Sequence, residues 1–215
     1  MTGTGGEISG QKANRKSYGP KPGDPLGAFD RHTDDFYIEP SWSVRAFIEA
    51  ENARGGFGSR SWDPACGSGT IPRELRSYQW QCHASDIVDR GFEDAKVHDF
   101  LGMASPAFQP VASIVSNPPY RVTQEFIERA LKIATYKVAM LVQSKFPYSQ
   151  RRHALFTTHP PARIYFLSDR PSMPPGDAYL AGEIKAVGGK MDFMWIVWDA
   201  AHAGPTEAHW LRRAR

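Results

Sequence analysis

Cysteine is scarce. The chain has 215 residues and only two cysteines, Cys66 and Cys82, too few for the disulfide framework of a small secreted domain; a reducing cytoplasm is the compartment this usage suggests. Long apolar runs are missing too. No stretch approaches the ~20 residues of a membrane span. The Lys and Arg residues near the N-terminus have no apolar core behind them, which argues against a signal peptide. An excess of one charge sign is lacking as well. Lys plus Arg is 26 and Asp plus Glu is 23, a formal net charge of +3, which allows a polyanionic partner without requiring one. The seven histidines are scattered with no metal-ligand spacing, so no metal is assigned. What is present is ordinary globular usage, 41% hydrophobic and 23% charged. The length fits one domain and suffices to bury a real core.

Residues 1–35 read as a basic, disordered tail. Gly, Lys, Ser, Pro and Asn dominate, as in Gly3-Thr4-Gly5-Gly6 and Tyr18-Gly19-Pro20-Lys21-Pro22-Gly23. Such a segment buries too little apolar surface to offset its ordering entropy. From residue 36 to 215 the pattern is that of a single folded domain. Ser41 to Glu49 predicts a capped helix with Val44, Phe47 and Ile48 on one face. Ser61-Trp62-Asp63 ends a short strand, Thr70 reads as the cap of the next helix and Pro72 suits its first turn. Trp80 to Ser85 and Val111 to Ser116 read as strands, followed by an amphipathic helix carrying Phe126, Ile127, Ala130, Leu131 and Ala134. Tyr136–Val142, Arg163–Leu167 and Phe193–Trp198 read as further strands, the last two as an antiparallel pair at one edge. Strands that alternate with helices imply an α/β fold with a mostly parallel sheet and right-handed crossovers.

Such sheets bind ligands at the carboxyl ends of their strands, and three polar clusters fall there. In Asp63-Pro64-Ala65-Cys66-Gly67-Ser68-Gly69 the glycines permit a tight turn close to a ligand. A pyrophosphate cradle would avoid an adjacent anion, whereas Asp63 suits a cation such as an amino acid's ammonium group. Asp86, ending the next strand, stands where nucleoside-binding sheets place an acid for ribose hydroxyls. In Asn117-Pro118-Pro119-Tyr120 the prolines stiffen the turn and remove two donors, the Asn117 amide oxygen is an acceptor, and Tyr120 offers a stacking face. Fixed acceptors suit an NH₂ group. Cys66 reads as a small buried residue, since no basic partner is evident nearby.

With these motifs in this order, the chain resembles the class I S-adenosylmethionine-dependent methyltransferases, specifically the adenine-N6 DNA methyltransferases with an Asn-Pro-Pro-Tyr motif, and among them the small phage and prophage type. The resemblance runs from about residue 36 to about residue 211 and includes Asp35-Phe36-Tyr37-Ile38-Glu39-Pro40-Ser41-Trp42, Ser85-Asp86-Ile87-Val88-Asp89-Arg90-Gly91 and His98-Asp99-Phe100-Leu101. It implies a Rossmann-like, doubly wound, mostly parallel seven-stranded sheet with an antiparallel edge hairpin. It implies S-adenosylmethionine as cofactor, with Asp63, Ala65, Gly67 and Gly69 along the methionine part and Asp86 on the ribose. Ile87 would lie against the adenine ring, Asp99 would accept from the adenine amine beside Phe100, and Tyr37 and Pro40 would close over the methionine end. Ile38-Glu39-Pro40 stands where many relatives have Pro-Thr-Pro, so the resemblance assigns Glu39 no role.

Asn117, Pro118, Pro119 and Tyr120 are the expected catalytic residues. The Asn117 side chain and the Pro118 carbonyl would accept the two N–H bonds of an adenine flipped from the duplex, and Tyr120 would stack on it. The chain leaves no room for a separate target-recognition domain. Two basic segments, 144–162 with Lys145, Arg151 and Arg152, and 169–191 with Lys190, are the candidates for phosphate contact. Trp210 to Arg215 reads as a solvated tail. An RNA adenine or a protein glutamine could be served by the same turn, a cytosine N4 target would more usually go with Ser at position 117, and a non-catalytic S-adenosylmethionine-dependent nucleic-acid-binding module has no need of both Asn117 and Tyr120.

Overall fold

A computed structural model describes residues 34–102, 108 and 110–214. Almost all of the expected basic tail lies outside the described residues. The elements in chain order are α1 (Ser41–Asn52), β1 (Ser61–Asp63), α2 (Thr70–Ser77), β2 (Cys82–Asp86), β3 (Ala95–Val97), β4 (Ser113–Ser116), α3 (Thr123–Ile133), β5 (Lys137–Gln143), α4 (Gln150–Thr158), β6 (Arg163–Leu167), α5 (Gly176–Leu180), β7 (Phe193–Asp199) and β8 (Glu207–Leu211). The strands form one sheet in the order β3-β2-β1-β4-β5-β7-β6-β8. All neighbouring pairs are parallel except β5–β7 and β6–β7. The chain steps outward from β1 to β3, then returns to place β4 on the other side of β1. The crevice beyond the carboxyl ends of β1 and β4 is therefore a topological switch point, where open α/β sheets bind ligands.

The strands alternate by twos between the faces of the sheet. In β5, Ala139 and Leu141 pack with α1 and α2 residues such as Phe47, Ile48, Ile71 and Leu75. On the opposite face Val138, Met140 and Val142 pack with α3 residues Phe126, Ile127 and Ala130. β7 splits in the same way, with Phe193, Trp195 and Val197 on the first face and Met194, Ile196 and Trp198 on the second. Phe47 stacks on Trp195 at 4.2 Å between centroids, and the Trp195 indole N–H donates to the Ser43 carbonyl at 3.2 Å. Both faces of β5 and β7 are thus dry, which explains their near-continuous apolar sequences.

The structure revises the expected sheet in two respects. Among the described residues there are eight strands where the resemblance implied seven and the sequence itself placed six. The two not read from sequence are β3, parallel to β2, and β8, whose Trp210 and Leu211 were read as part of a tail and which pairs in parallel with β6. The antiparallel pair β6–β7 is present but is not the rim of the sheet, since β8 covers β6. β8 escaped detection because it alternates half-buried and exposed residues beside a run of charge. The helix starts differ as well. Pro40 and Gly69, not Ser41 and Thr70, flank α1 and α2, and neither helix has a side-chain cap bond. Among the described residues no helix is long and apolar enough to cross a membrane.

Candidate active site

Gly67 and Gly69 shape the turn after β1. Both have positive φ, 52° and 89°. A Cβ at Gly67 would lie 2.6 Å from the Phe36 ring, and one at Gly69 2.5 Å from the Phe92 ring. Only glycine meets both demands. The turn is latched to β2, because the Gly67 N–H donates to Asp86 Oδ2 at 2.9 Å and the Cys66 N–H to the Ser85 carbonyl at 2.9 Å. Asp86 Oδ1 accepts from the Val88 N–H at 3.2 Å.

Beneath the turn lies Asp63, 1% exposed. Its Oδ1 accepts from the Ala65 N–H at 3.2 Å and from Ser116 Oγ at 2.7 Å, joining β1 to β4. Its Oδ2 is buried without a hydrogen-bond partner among the described residues. Burial, with the nearby carboxylates of Glu39 and Asp86, pushes the Asp63 carboxyl well above the usual range. Burial raises Glu39 and Asp86 too, against the hydrogen bonds that each accepts. Burial disfavours charge on all three carboxyls, and a cation bound among them, in addition to Arg90 at 3.9 Å from Asp86, would favour their ionised forms.

Over them opens a cleft of about 380 Å³, within the ~300–1,000 Å³ of small-molecule sites. Of the residues expected to bind cofactor, Tyr37, Ala65, Gly67, Asp86, Ile87, Asp99 and Phe100 line it, together with Asn117 and Pro119 of the expected catalytic turn. Ile87 is 57% exposed at its rim. Asp99 is exposed and folds back to accept from the Leu101 N–H at 3.0 Å. Asp63, Gly69, Pro40, Pro118 and Tyr120 are not on its lining. Asp63 underlies it, Gly69 starts α2, and the Pro40 carbonyl accepts from the Ser43 N–H.

Several lining residues were not legible in the sequence. Phe36 packs under the Arg90 guanidinium, 4.5 Å from the ring centroid. Arg90 also pairs with Asp34 at 2.8 Å and lies 3.9 Å from Asp86. His98 and Arg121 line the cleft as well. The Cys66 thiol is buried, and burial, with Asp63 and Asp86 nearby, pushes its pKa up, which makes it inert.

At the rim, Asn117 Nδ2 donates to Glu39 Oε2 at 3.0 Å and lies 3.4 Å from the Tyr37 carbonyl. Its Oδ1 is buried and has no hydrogen-bond partner among the described residues. The Tyr120 ring stacks on Tyr37, 5.2 Å away and 13° from parallel, and meets Phe193 at 6.2 Å. One face of Tyr120 is therefore already covered by Tyr37.

None of the four basic residues expected to contact substrate lines the cleft. Lys145 is exposed in the turn after β5. Arg151 pairs with Glu125 at 2.8 Å. Arg152 donates to the Phe146 carbonyl at 2.8 Å and covers the Phe146 ring. Lys190 lies in the segment before β7. Segment 150–158, within the first basic stretch, is helical.

The sequence matches no protein-family model and no curated protein. In structure the chain is similar to a protein from Vibrio vulnificus YJ016 described as a modification subunit of a type I restriction enzyme (13% identity, TM-score 0.54, covering 81% of this chain and 47% of that one). It is similar to a protein from Listeria monocytogenes described as a class I S-adenosylmethionine-dependent methyltransferase (13%, 0.51, 81% and 64%). It is also similar to one from Pyrococcus horikoshii described as an RNA methyltransferase (13%, 0.57, 77% and 88%). The chain thus spans about half and just under two thirds of the length of the first two. Together with the sheet order, these likenesses show that it has the class I methyltransferase fold.

Proposed function

We propose that the protein is an S-adenosylmethionine-dependent methyltransferase that acts on the exocyclic N6 amine of adenine in DNA. The observation that carries this reading is the meeting of three buried carboxyls with the unfilled Asn117 Oδ1 at one switch-point cleft. S-adenosylmethionine carries two cationic groups, an ammonium and a sulfonium, so the donor set fits it. Asp63, with the Gly67 turn, would hold the amino-acid end, Asp86 the ribose, and Ile87, His98, Asp99 and Phe100 the adenine. When bound, the cofactor supplies a methyl group already activated by its positive sulfur.

The chain's own residues must then localise an amine lone pair that is delocalised into a ring. Asn117 Oδ1 and the Pro118 carbonyl accept the two N–H bonds and favour a tetrahedral nitrogen as positive charge develops there. Holding the two reactants in line contributes a further ~7–11 kcal/mol. The methylated nitrogen sheds its proton to solvent. A flipped base reaches Tyr120 by displacing Tyr37 or joining its stack, since the two rings are only 5.2 Å apart. The Vibrio neighbour's description names a restriction-modification subunit and the Pyrococcus neighbour's an RNA methyltransferase, so the DNA and RNA arms of the assay decide the polymer.

The test is to incubate the protein with methyl-labelled S-adenosylmethionine and, separately, unmethylated DNA, RNA and protein extract, then identify the modified nucleoside or residue by mass spectrometry. N6-methyldeoxyadenosine in the DNA arm is expected. Label in protein alone would overturn the nucleic-acid reading.

A linked prediction concerns pH. A cation among the carboxyls favours their ionised form, so binding lowers pKa values that burial raises in the free protein, and protons leave. Cofactor affinity should therefore rise with pH, by up to about tenfold per pH unit for each proton released. Calorimetry in buffers of different ionisation enthalpy measures that release directly, and pH-independent affinity with no proton release would contradict the assignment.

A further inference from the structure

We propose that Glu39 is a positioning residue, whose carboxylate fixes the Asn117 side chain so that its amide oxygen, not its nitrogen, meets the substrate amine. The proposal rests on the reading of Asn117 as the amine acceptor. A primary amide is nearly symmetrical in shape and turns over with little steric cost. Turned one way it accepts from an amine, and turned the other way it presents N–H bonds to N–H bonds. What decides between them is the chemistry around the nitrogen. Here Asn117 Nδ2 faces two acceptors, Glu39 Oε2 at 3.0 Å and the Tyr37 carbonyl at 3.4 Å. A backbone carbonyl only accepts, and so does the Glu39 carboxylate once a cation among the three carboxyls favours its ionised form, so the amide oxygen is excluded from that side.

Glu39 is itself held in place. It is 7% exposed, and Thr70 and Ile71 at the start of α2 lie near enough to favour its ionised form. The line of force runs from α2 through Glu39 to Asn117, linking residues 78 positions apart in sequence. A side chain needed only to fill this space would be apolar, because burying a carboxylate is costly unless its hydrogen bonds are used.

The experiment compares wild type, Glu39→Gln and Glu39→Asp on DNA amplified in vitro, which carries no methyladenine, at saturating S-adenosylmethionine. Gln preserves size but brings an NH₂. Where that NH₂ faces Asn117 it turns the amide over. Asp is shorter but accepts at both oxygens. We expect kcat to fall about 100-fold in Glu39→Gln with KM for DNA within about threefold of wild type, and Glu39→Asp to retain more kcat than Glu39→Gln. A purely space-filling role gives the opposite order, and that order, or wild-type kcat in Glu39→Gln, overturns the proposal.

A second measurement does not depend on turnover. In ¹⁵N-labelled protein the Asn117 side-chain NH₂ signals, identified by their loss in Asn117→Ala, should shift markedly in Glu39→Gln. Unshifted signals overturn the proposal. If wild type forms no methyladenine while those signals do shift, the DNA-adenine reading fails and the anchoring of Asn117 stands. If wild type is active, Asn117→Ala is not and Glu39→Gln is unimpaired, the reading stands and the proposal falls.

Discussion

Asn117→Ala is expected to lower methyl transfer by about 10²–10³-fold, the usual effect of removing one preorganised group that stabilises developing charge. Its effect on cofactor binding should be small, because the carboxyls assigned to the cofactor lie on β1, on β2 and after β3 rather than on this turn. Three measurements separate these outcomes: single-turnover rate, calorimetric affinity for S-adenosylmethionine, and thermal unfolding. Removing the amide leaves Glu39 Oε2 without the donor it has at 3.0 Å. Burial already favours the protonated form of Glu39, so that carboxyl takes a proton rather than remaining a bare buried charge. The stability change should therefore be modest, about 1–2 kcal/mol. Turnover above a tenth of wild type, in a variant that binds cofactor normally, would remove Asn117 from the chemistry. A large loss of cofactor affinity would instead place Asn117 in the cofactor site.

The parts of this site that could be read from sequence are those set by local chain geometry. Asp63, Asp86 and Asn117 each stand at or just after the end of a short apolar or mixed run, and a parallel sheet brings strand ends together without further information. The same logic made β5 and β7 legible, because strands buried on both faces are continuously apolar. What escaped is what depends on distant partners. Nothing in Ile38-Glu39-Pro40 shows that Glu39 will meet an asparagine 78 residues later. Tyr120 was expected to offer an open face, but Tyr37 covers one side of it at 5.2 Å, a contact made only once the segment before α1 has docked. That docking is itself long-range, with the Ile38 N–H donating to the Pro174 carbonyl and the Gly176 N–H to that of Phe36. The pairing of Arg151, read as a phosphate ligand from its charge run, with Glu125 on α3 was likewise out of reach of the local sequence.

The largest effect on stability is expected far from the chemistry, at Glu51. This residue ends α1 on the first face of the sheet and is 0% exposed. Lys137 at the start of β5 donates to it at 2.7 Å, Arg163 at the start of β6 at 2.7 Å and 3.0 Å, and the Tyr165 hydroxyl at 2.6 Å. Asp199 at the end of β7 completes the group, paired with Arg163 and 3.5 Å from Lys137. Two cations and two anions balance, and one helix is thereby fixed to three strands. Replacing Glu51 by Ala or Leu leaves Lys137 and Arg163 buried with Asp199 as the remaining carboxylate partner, which should cost about 3–5 kcal/mol. In a domain of this size that corresponds to a fall in Tm on the order of 10 °C.

The acid profile gives an independent check. Burial alone would raise Glu51 and Asp199, but the hydrogen bonds from Arg163, with Lys137 nearby, outweigh it and hold both below the usual carboxylate range. A carboxyl depressed in the folded state adds stability above its unfolded pKa, roughly 4, and loses it as pH falls through the folded value. Asp63, Glu39 and Asp86 act in the opposite sense, because their raised values favour the folded state as they take up protons. On acidification, stability measured by urea unfolding should thus first hold or rise and then fall steeply below about pH 4. Glu51→Gln should lower the curve at neutral pH and flatten that last fall. Unchanged stability in both Glu51→Ala and Glu51→Gln would mean that the four charges are worth no more than a surface ion pair.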